Sequence, residues 1–206
     1  MLGSLRIDAV SYDHPDAARL IEEVQQEYVV RYGGRDDSPV DPAEFAPPGG
    51  LFLLGYLGGI GLACGGRRAH GADAEIKRMY VTAAARGRGL ARRMLAELER
   101  TARAAGYHRV ILETGSKQPE AVGLYRSSGY TEIPAYGYYA GSPHSMHFAK
   151  LLDGTGESNG RAGSLWLSRA VTAEPRAAAA SPPQPPSQAA PRRPAYDGTM
   201  AEDRRA

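Results

Sequence analysis

Between Val81 and Ala91 the sequence runs Val81-Thr82-Ala83-Ala84-Ala85-Arg86-Gly87-Arg88-Gly89-Leu90-Ala91, passing from a strand-like segment into a helix-like one. A strand, a glycine-rich loop and a helix N-terminus together leave several backbone N–H groups without partners and present the positive end of a helix dipole. That combination suits a phosphate. A side chain at Gly87 or Gly89 would hold a bulky phosphate away from the amides. Arg86, Arg88, Arg92 and Arg93 add positive charge appropriate to a ligand with more than one phosphate. No Gly-Lys-Ser or Gly-Lys-Thr occurs and the full G-x-G-x-x-G is absent, which excludes a Walker loop and a dinucleotide fingerprint. Taken alone, the loop reads equally well as an ordinary strand-to-helix turn with a solvated basic rim.

The flanking elements follow from hydrophobic periodicity. Leu5 to Val10 alternates as a half-buried strand, and Asp13 with Pro15 opens a helix whose apolar residues Ala17, Leu20, Ile21, Val24 and Tyr28 recur every three or four positions until Gly33-Gly34. Pro42 to Phe45 allows one helical turn before Pro47-Pro48. Leu51 to Leu57, the pair Gly58-Gly59 and Ile60 to Arg68 read as a hairpin. Ala74 to Val81 follows as a third strand, with Ile76, Arg78 and Tyr80 expected on one face and Glu75, Lys77 and Met79 on the other. Leu90, Met94, Leu95, Leu98, Ala102 and Ala105 make the apolar stripe of a helix that ends at Gly106. Val110-Ile111-Leu112 is a buried-strand run leading to Glu113-Thr114-Gly115, Pro119 opens a last helix that Gly129 ends, and short strands are expected at residues 129–133 and 146–152. The order is mixed α/β.

The chain has 206 residues, 42% hydrophobic and 23% charged, values that exclude wholesale disorder, collagen and a disulfide scaffold. The net charge of +2 advertises neither a nucleic acid nor a membrane partner. One cysteine, Cys64, fits a reducing compartment. The N-terminal residues lack the features of a secretory signal, and no stretch approaches the roughly 18 apolar residues of a membrane span, so a cytoplasmic location is expected. Residues 153–206 hold seven of the 15 prolines and the run AAAASPPQPPSQAAPRRP, an Ala/Pro-rich composition expected to stay disordered. Leu165-Trp166-Leu167 there is read as a weak docking contact or a transient helix. The working domain is residues 1–152.

Two blocks in that domain resemble a known family. Val81-x4-Arg86-x-x-Gly89-x-Ala91 resembles the acetyl-CoA-binding signature of the GNAT N-acetyltransferase superfamily, and Ala121-x-x-Leu124-Tyr125-x-x-x-Gly129-Tyr130 is similar to that family's second block. The resemblance spans nearly all of residues 1–152 and none of the tail. It implies a three-layer α/β fold (α+β mixed), with a central, mostly antiparallel sheet splayed at the cofactor site and flanked by helices. It further implies that the backbone of Arg86, Gly87, Arg88, Gly89, Leu90 and Ala91 grips the CoA pyrophosphate, while Met79, Tyr80 and Val81 lie along the pantetheine arm. Gln118 stands where an Asn commonly contacts the cofactor, and its amide can serve the same bonds.

Acyl transfer to an amine needs a neutral amine and a proton for the departing thiolate. The resemblance implies Glu75 as general base toward the acceptor ammonium, acting through water, against a reading of it as a carboxylate paired with Lys77 or a nearby Arg. It implies Tyr125 as the acid beside the CoA sulfur. Tyr136 to Tyr139, Tyr28, Phe45 and the loop Arg31 to Pro39 are candidates for the acceptor pocket or for edge packing. His144 and His147 lack a further ligand, so no metal is expected. Cys64 has no evident partner base, so direct transfer in a ternary complex is expected over a covalent intermediate. Gly123 inside a helix implies close approach of a ligand or neighbouring element. The expected substrate is a primary amine of a small molecule or amino acid. A protein N-terminus or lysine, and a non-catalytic acyl-CoA-binding module recruiting partners through its tail, are the alternatives. Pairing into a homodimer through sheet edges or helices is a further implication of the resemblance.

Overall fold

The alternation near the N-terminus gives β1 (Arg6–Val10), and the chain then enters α1 (Pro15–Tyr32) at His14, whose ring accepts from the Asp16 amide at 3.2 Å. Gly33 closes α1 in the left-handed region, its amide bonding the Val29 carbonyl at 2.9 Å. A 3-10 turn at Pro42–Phe45 leads into β2 (Leu51–Leu57), β3 (Ile60–His70) and β4 (Asp73–Val81), an antiparallel meander. Then come α2 (Leu90–Ala104), β5 (Arg109–Gly115), α3 (Pro119–Ser127), the two-residue β6 (Thr131–Glu132) and β7 (Ser145–Leu151). These coordinates are a computed structural model that describes residues 5–152; the Ala/Pro-rich segment 153–206, with its expected disorder, lies outside the described residues.

One seven-stranded sheet results, in the order β1-β2-β3-β4-β5-β7-β6, with β4 and β5 as its parallel pair. Successive residues of β2 point to opposite cores: Leu53 meets Leu90, Met94, Leu95 and Leu98 of α2, whereas Phe52 and Leu54 meet Ala17, Leu20 and Val24 of α1. Helices on both faces make three layers, as expected. Burying each large side chain on the α2 stripe is worth about 1.5–3 kcal/mol. No helix among the described residues is long and apolar enough to cross a membrane.

Two placements differ from the sequence reading. In β4 the alternation slips by one residue, because Cys64 pairs with Tyr80 but Gly66 pairs with Lys77, leaving Gly65 opposite both Arg78 and Met79. Arg78 sits at φ 56, the one non-glycine residue with positive φ among those described. Ile76 therefore shares the α2 core with Met79 and Val81, while Tyr80 joins the α1 core. Phe45, a candidate for the acceptor pocket, is instead a core residue, stacked on Tyr12 at 4.9 Å and edge-on to Phe52 at 6.0 Å.

The glycines of β3 and α3 answer to different constraints. A Cβ at Gly66 would stand 2.5 Å from the Phe45 ring and 2.7 Å from Phe52, whereas one at Gly123 would meet nothing within 4 Å, so no neighbouring element explains Gly123. Gly66→Ala is expected to destabilise by about 1–3 kcal/mol through overpacking, and Gly123→Ala to stabilise by up to about 1 kcal/mol through helix propensity. Urea unfolding of the two variants checks this; a same-sign result would contradict the packing described.

Candidate active site

β4 and β5 are paired over only three residues, Ala74 to Ile76 against Val110 to Leu112. Beyond them β4 stays with β3, Tyr80 opposite Cys64 and Val81 opposite Ala63, while β5 stays with β7, Glu113 opposite His147 and Gly115 opposite Ser145. The two strands part from Lys77 and Glu113 onward, and the β5-facing edge of Met79, Tyr80 and Val81 has no strand against it. The expected splay is present. A cleft of about 640 Å³ fills the gap, and Met79, Tyr80, Val81, Arg86, Gly87, Gly89, Leu90, Ala91, Gln118 and Tyr125 all line it. Of the residues expected to hold the cofactor, Arg88 is exposed and outside that lining.

At one end of the cleft, Gly87 (φ 73) and Gly89 (φ 76) shape the turn into α2, whose N-cap Gly89 carries no side-chain cap. The first amides of α2 are therefore free to bind an anion. A Cβ at either glycine would meet nothing within 4 Å, so positive φ is what the protein itself requires there. The arginines diverge from expectation. Arg86 donates to the Val81 carbonyl at 3.1 Å, pairs with Glu27 and lies 5.6 Å over the Tyr80 ring. Arg92 lines the cleft and donates to the hydroxyls of Ser127 and Ser128. Arg93 turns away to the Leu5 carbonyl at 3.2 Å.

At the floor Tyr125 is buried against Tyr130 and Phe148, and burial pushes its phenol far above the ordinary range, so it keeps its proton. Gln118 donates to the Tyr32 hydroxyl at 3.4 Å, and that hydroxyl lies so close to Gly115 that a Cβ there would come within 1.9 Å of it. Tyr28 and Tyr139 line the other end with Asp36. Asp36 pairs with the buried Arg78, accepts from Tyr139 at 3.0 Å and from the Ser38 amide at 2.9 Å. Burial raises its pKa, but Arg78 and these donors outweigh that and hold Asp36 ionised.

Glu75 is placed differently from its expected role. It is 2% exposed and absent from the cleft lining, with Arg68 Nε at 2.8 Å from one oxygen and Lys77 Nζ at 3.4 Å from the other. The paired-carboxylate reading describes these contacts, and Glu75 stands outside the cleft lining. Four carboxylates line the cleft, Glu27, Asp36, Glu113 and Glu120; Glu27, Asp36 and Glu120 are paired with Arg86, Arg78 and Arg31, and Glu113, on the strand β5, is not among the residues expected at the site from the sequence. Its available signal was a lone acid at the end of an apolar strand run, at the turn toward the next helix. Ser145 and Lys77 are further lining residues found only in the structure, whereas Asp36 falls within the loop Arg31 to Pro39 expected at the acceptor pocket. Cys64 is fully buried, donates to the Arg78 carbonyl at 3.3 Å and has its thiol pushed up to about 12 by burial. No group of three or more His, Cys, Asp or Glu among the described residues is arranged for a metal.

The acetyltransferase (GNAT) family model matches residues 17–130. An IAA acetyltransferase of Azospirillum brasilense is 34% identical over 136 residues, covering 65% of this chain and 89% of its own length. Among solved structures, an acetyltransferase of the GNAT family from Staphylococcus aureus Mu50 superimposes with TM-score 0.60 at 20% identity, covering 72% of this chain and 99% of that one. The PaiA N-acetyltransferase of Thermoplasma acidophilum, solved in complex with coenzyme A, does so with TM-score 0.57 at 14% identity, covering 72% and 99%. At these identities the two structures speak to the fold.

Two stability predictions follow from the charges around the cleft. Asp36→Asn strands the buried Arg78 guanidinium and is expected to cost about 3–5 kcal/mol in urea unfolding. The buried His147 has its pKa lowered, chiefly by burial. Its neutral form is thus favoured by folding: the contribution is complete above the ordinary pKa of about 6.5 and lost as acid protonates the unfolded chain first. Wild-type stability should fall as the pH drops below about 6.5, and His147→Gln should flatten that limb; parallel slopes for the two proteins would contradict the assignment.

Proposed function

Because the chain belongs to the GNAT acetyltransferase family, we propose that it transfers the acetyl group of acetyl-CoA to the primary amine of a small molecule or amino acid, with both substrates bound together. The observation that carries this reading is a single cleft joining free helix-terminal amides to a buried, protonated phenol, with a carboxylate on the opposing strand. The uncapped α2 terminus and the open space at Gly87 and Gly89 fit a pyrophosphate. The free edge of Met79, Tyr80 and Val81 fits the amide-bearing arm of the cofactor, which would complete the sheet there. When bound, acetyl-CoA supplies an activated thioester carbonyl.

The chain's own groups then manage two protons. Glu113, on the cleft wall, receives the proton that the acceptor ammonium must lose before its nitrogen can attack. Tyr125, neutral because it is buried, gives a proton to the departing sulfur. Glu75 holds Lys77 in place on the cleft wall. A buried Cys64 with its thiol at about 12 is a poor nucleophile, which favours direct transfer over an acyl-enzyme. Tyr28, Tyr32 and Tyr139 line the acceptor end, a wall of moderate size suited to a small amine.

Acetyl-CoA at about 100 times its Kd should stabilise the protein by about 2.7 kcal/mol, read as a rise in Tm. A panel of amines assayed by release of free CoA identifies the acceptor. Tyr125→Phe should lower kcat by roughly 100-fold or more while the KM for acetyl-CoA stays within a few-fold. An unchanged Tm at millimolar acetyl-CoA would overturn the proposal.

A further inference from the structure

Glu113 on β5 and His147 on β7 are directly opposite in an antiparallel pair, and Ser145 lies two residues from His147, so all three side chains project from one face. Ser145 Oγ is 2.8 Å from Glu113 Oε1 and 3.1 Å from His147 Nε2. We infer that Ser145 and His147 are positioning residues for Glu113, a two-donor chain that fixes one carboxylate oxygen and leaves the other to the acceptor amine. The inference rests on the acetyl-transfer reading above.

Proton counting sets the direction of the chain. An ionised carboxylate can only accept, and a hydroxyl has one proton to give. Ser145 therefore donates to Glu113, and its oxygen must accept from His147 Nε2–H. That assigns the tautomer: the ring carries its proton on Nε2, and Nδ1 is bare. Nδ1 is buried without a partner, so a second proton there would be a buried donor with no acceptor. Among the groups facing the ring, Glu113 and Glu75 favour the imidazolium, but burial and Lys77 outweigh them and favour the neutral imidazole. Tyr136 packs edge-on at 4.9 Å, Glu75 and Lys77 approach from β4, and Glu113 from β5. His70 reaches the cluster from β3, 5.3 Å from the Tyr136 ring, and Arg68 through its bond to Glu75.

The other oxygen of Glu113 is less committed. Lys77 Nζ stands 3.8 Å from Oε2, beyond hydrogen-bond distance, and lies nearer to Glu75. Glu113 and Ser145 line the cleft, but His147 does not and is 4% exposed. His147 can reach an acceptor only through Ser145 and Glu113, which is why it positions rather than reacts.

The test combines imidazole ¹⁵N NMR of the full chain with steady-state acetyl transfer. The wild type should show His147 as the Nε2–H tautomer, and Ser145→Ala should change its ¹⁵N shifts. Losing one hydrogen bond to a charged group should lower kcat about tenfold with the KM for acetyl-CoA unchanged. Ser145→Thr, which keeps the hydroxyl, should restore most of that loss. Glu113→Gln should cost more, and adding Ser145→Ala to it should cost little further, because the chain would then have nothing to orient. A wild-type Nδ1–H tautomer reverses the chain and overturns the inference, as does wild-type kcat in Ser145→Ala. A wild type that releases no CoA with any amine overturns the acetyl-transfer reading and the positioning role with it; normal wild-type turnover matched by Ser145→Ala overturns the positioning role alone.

Discussion

Arg78 is held in a left-handed backbone conformation that a non-glycine residue adopts at a cost of about 1–2 kcal/mol. The bulge there bends β4 just past its last contact with β5, and the β5-facing edge of Met79 to Val81 is left open as a consequence. It also reverses which face the later residues occupy, sending Tyr80 under α1 and Val81 under α2. The conformation is over-determined by its surroundings: Cys64 donates to the Arg78 carbonyl, and the Arg78 side chain is pulled to Asp36.

That ion pair reaches further than the bulge. Asp36 lies in the loop after α1, where Gln25 accepts from its amide at 2.8 Å and donates to its carbonyl at 3.4 Å. Tyr139, from the loop before β7, donates to the same carboxylate and accepts from the Asp37 amide. Two loops distant in sequence thus meet on the side chain of a bulged strand residue, so the shape of the acceptor end depends on the feature that opens the cofactor end. A second chain of charges links the elements around the cleft: Glu27 of α1 pairs with Arg86 of the loop, and Arg31 of α1 pairs with Glu120 of α3. Arg86 thus borders both α1, through Glu27, and the cleft.

Features written in local pattern were legible in the sequence. The helices begin at Pro15 and Pro119 and stop at glycines because those residues act on their own segments. The meander follows from alternation, and the Gly87 to Ala91 loop from its composition and position. The bulge escaped because Lys77-Arg78-Met79 carries no local mark; its cause is a set of partners from β3 and the loop after α1. Phe45 escaped for a similar reason, since nothing in its own segment reveals the Phe52 and Tyr12 rings that enclose it. The link among Glu113, Ser145 and His147 exists only through the β5–β7 register, across more than 30 residues of chain.

The contrast between Glu75 and Glu113 shows why placement on a strand is not enough to assign a base. Glu75 stands opposite Ile111 in the parallel pair, just before the strands part, and is enclosed there. Its two oxygens face Arg68 and Lys77, both largely buried, and its charge compensates those two cations. Glu113 lies past the point of divergence, where one oxygen has a neutral hydroxyl for its partner and the other borders the cleft. The parting of β4 from β5 therefore separates the two carboxylates by placement: the one before it is enclosed with Arg68 and Lys77, and the one after it borders the cleft.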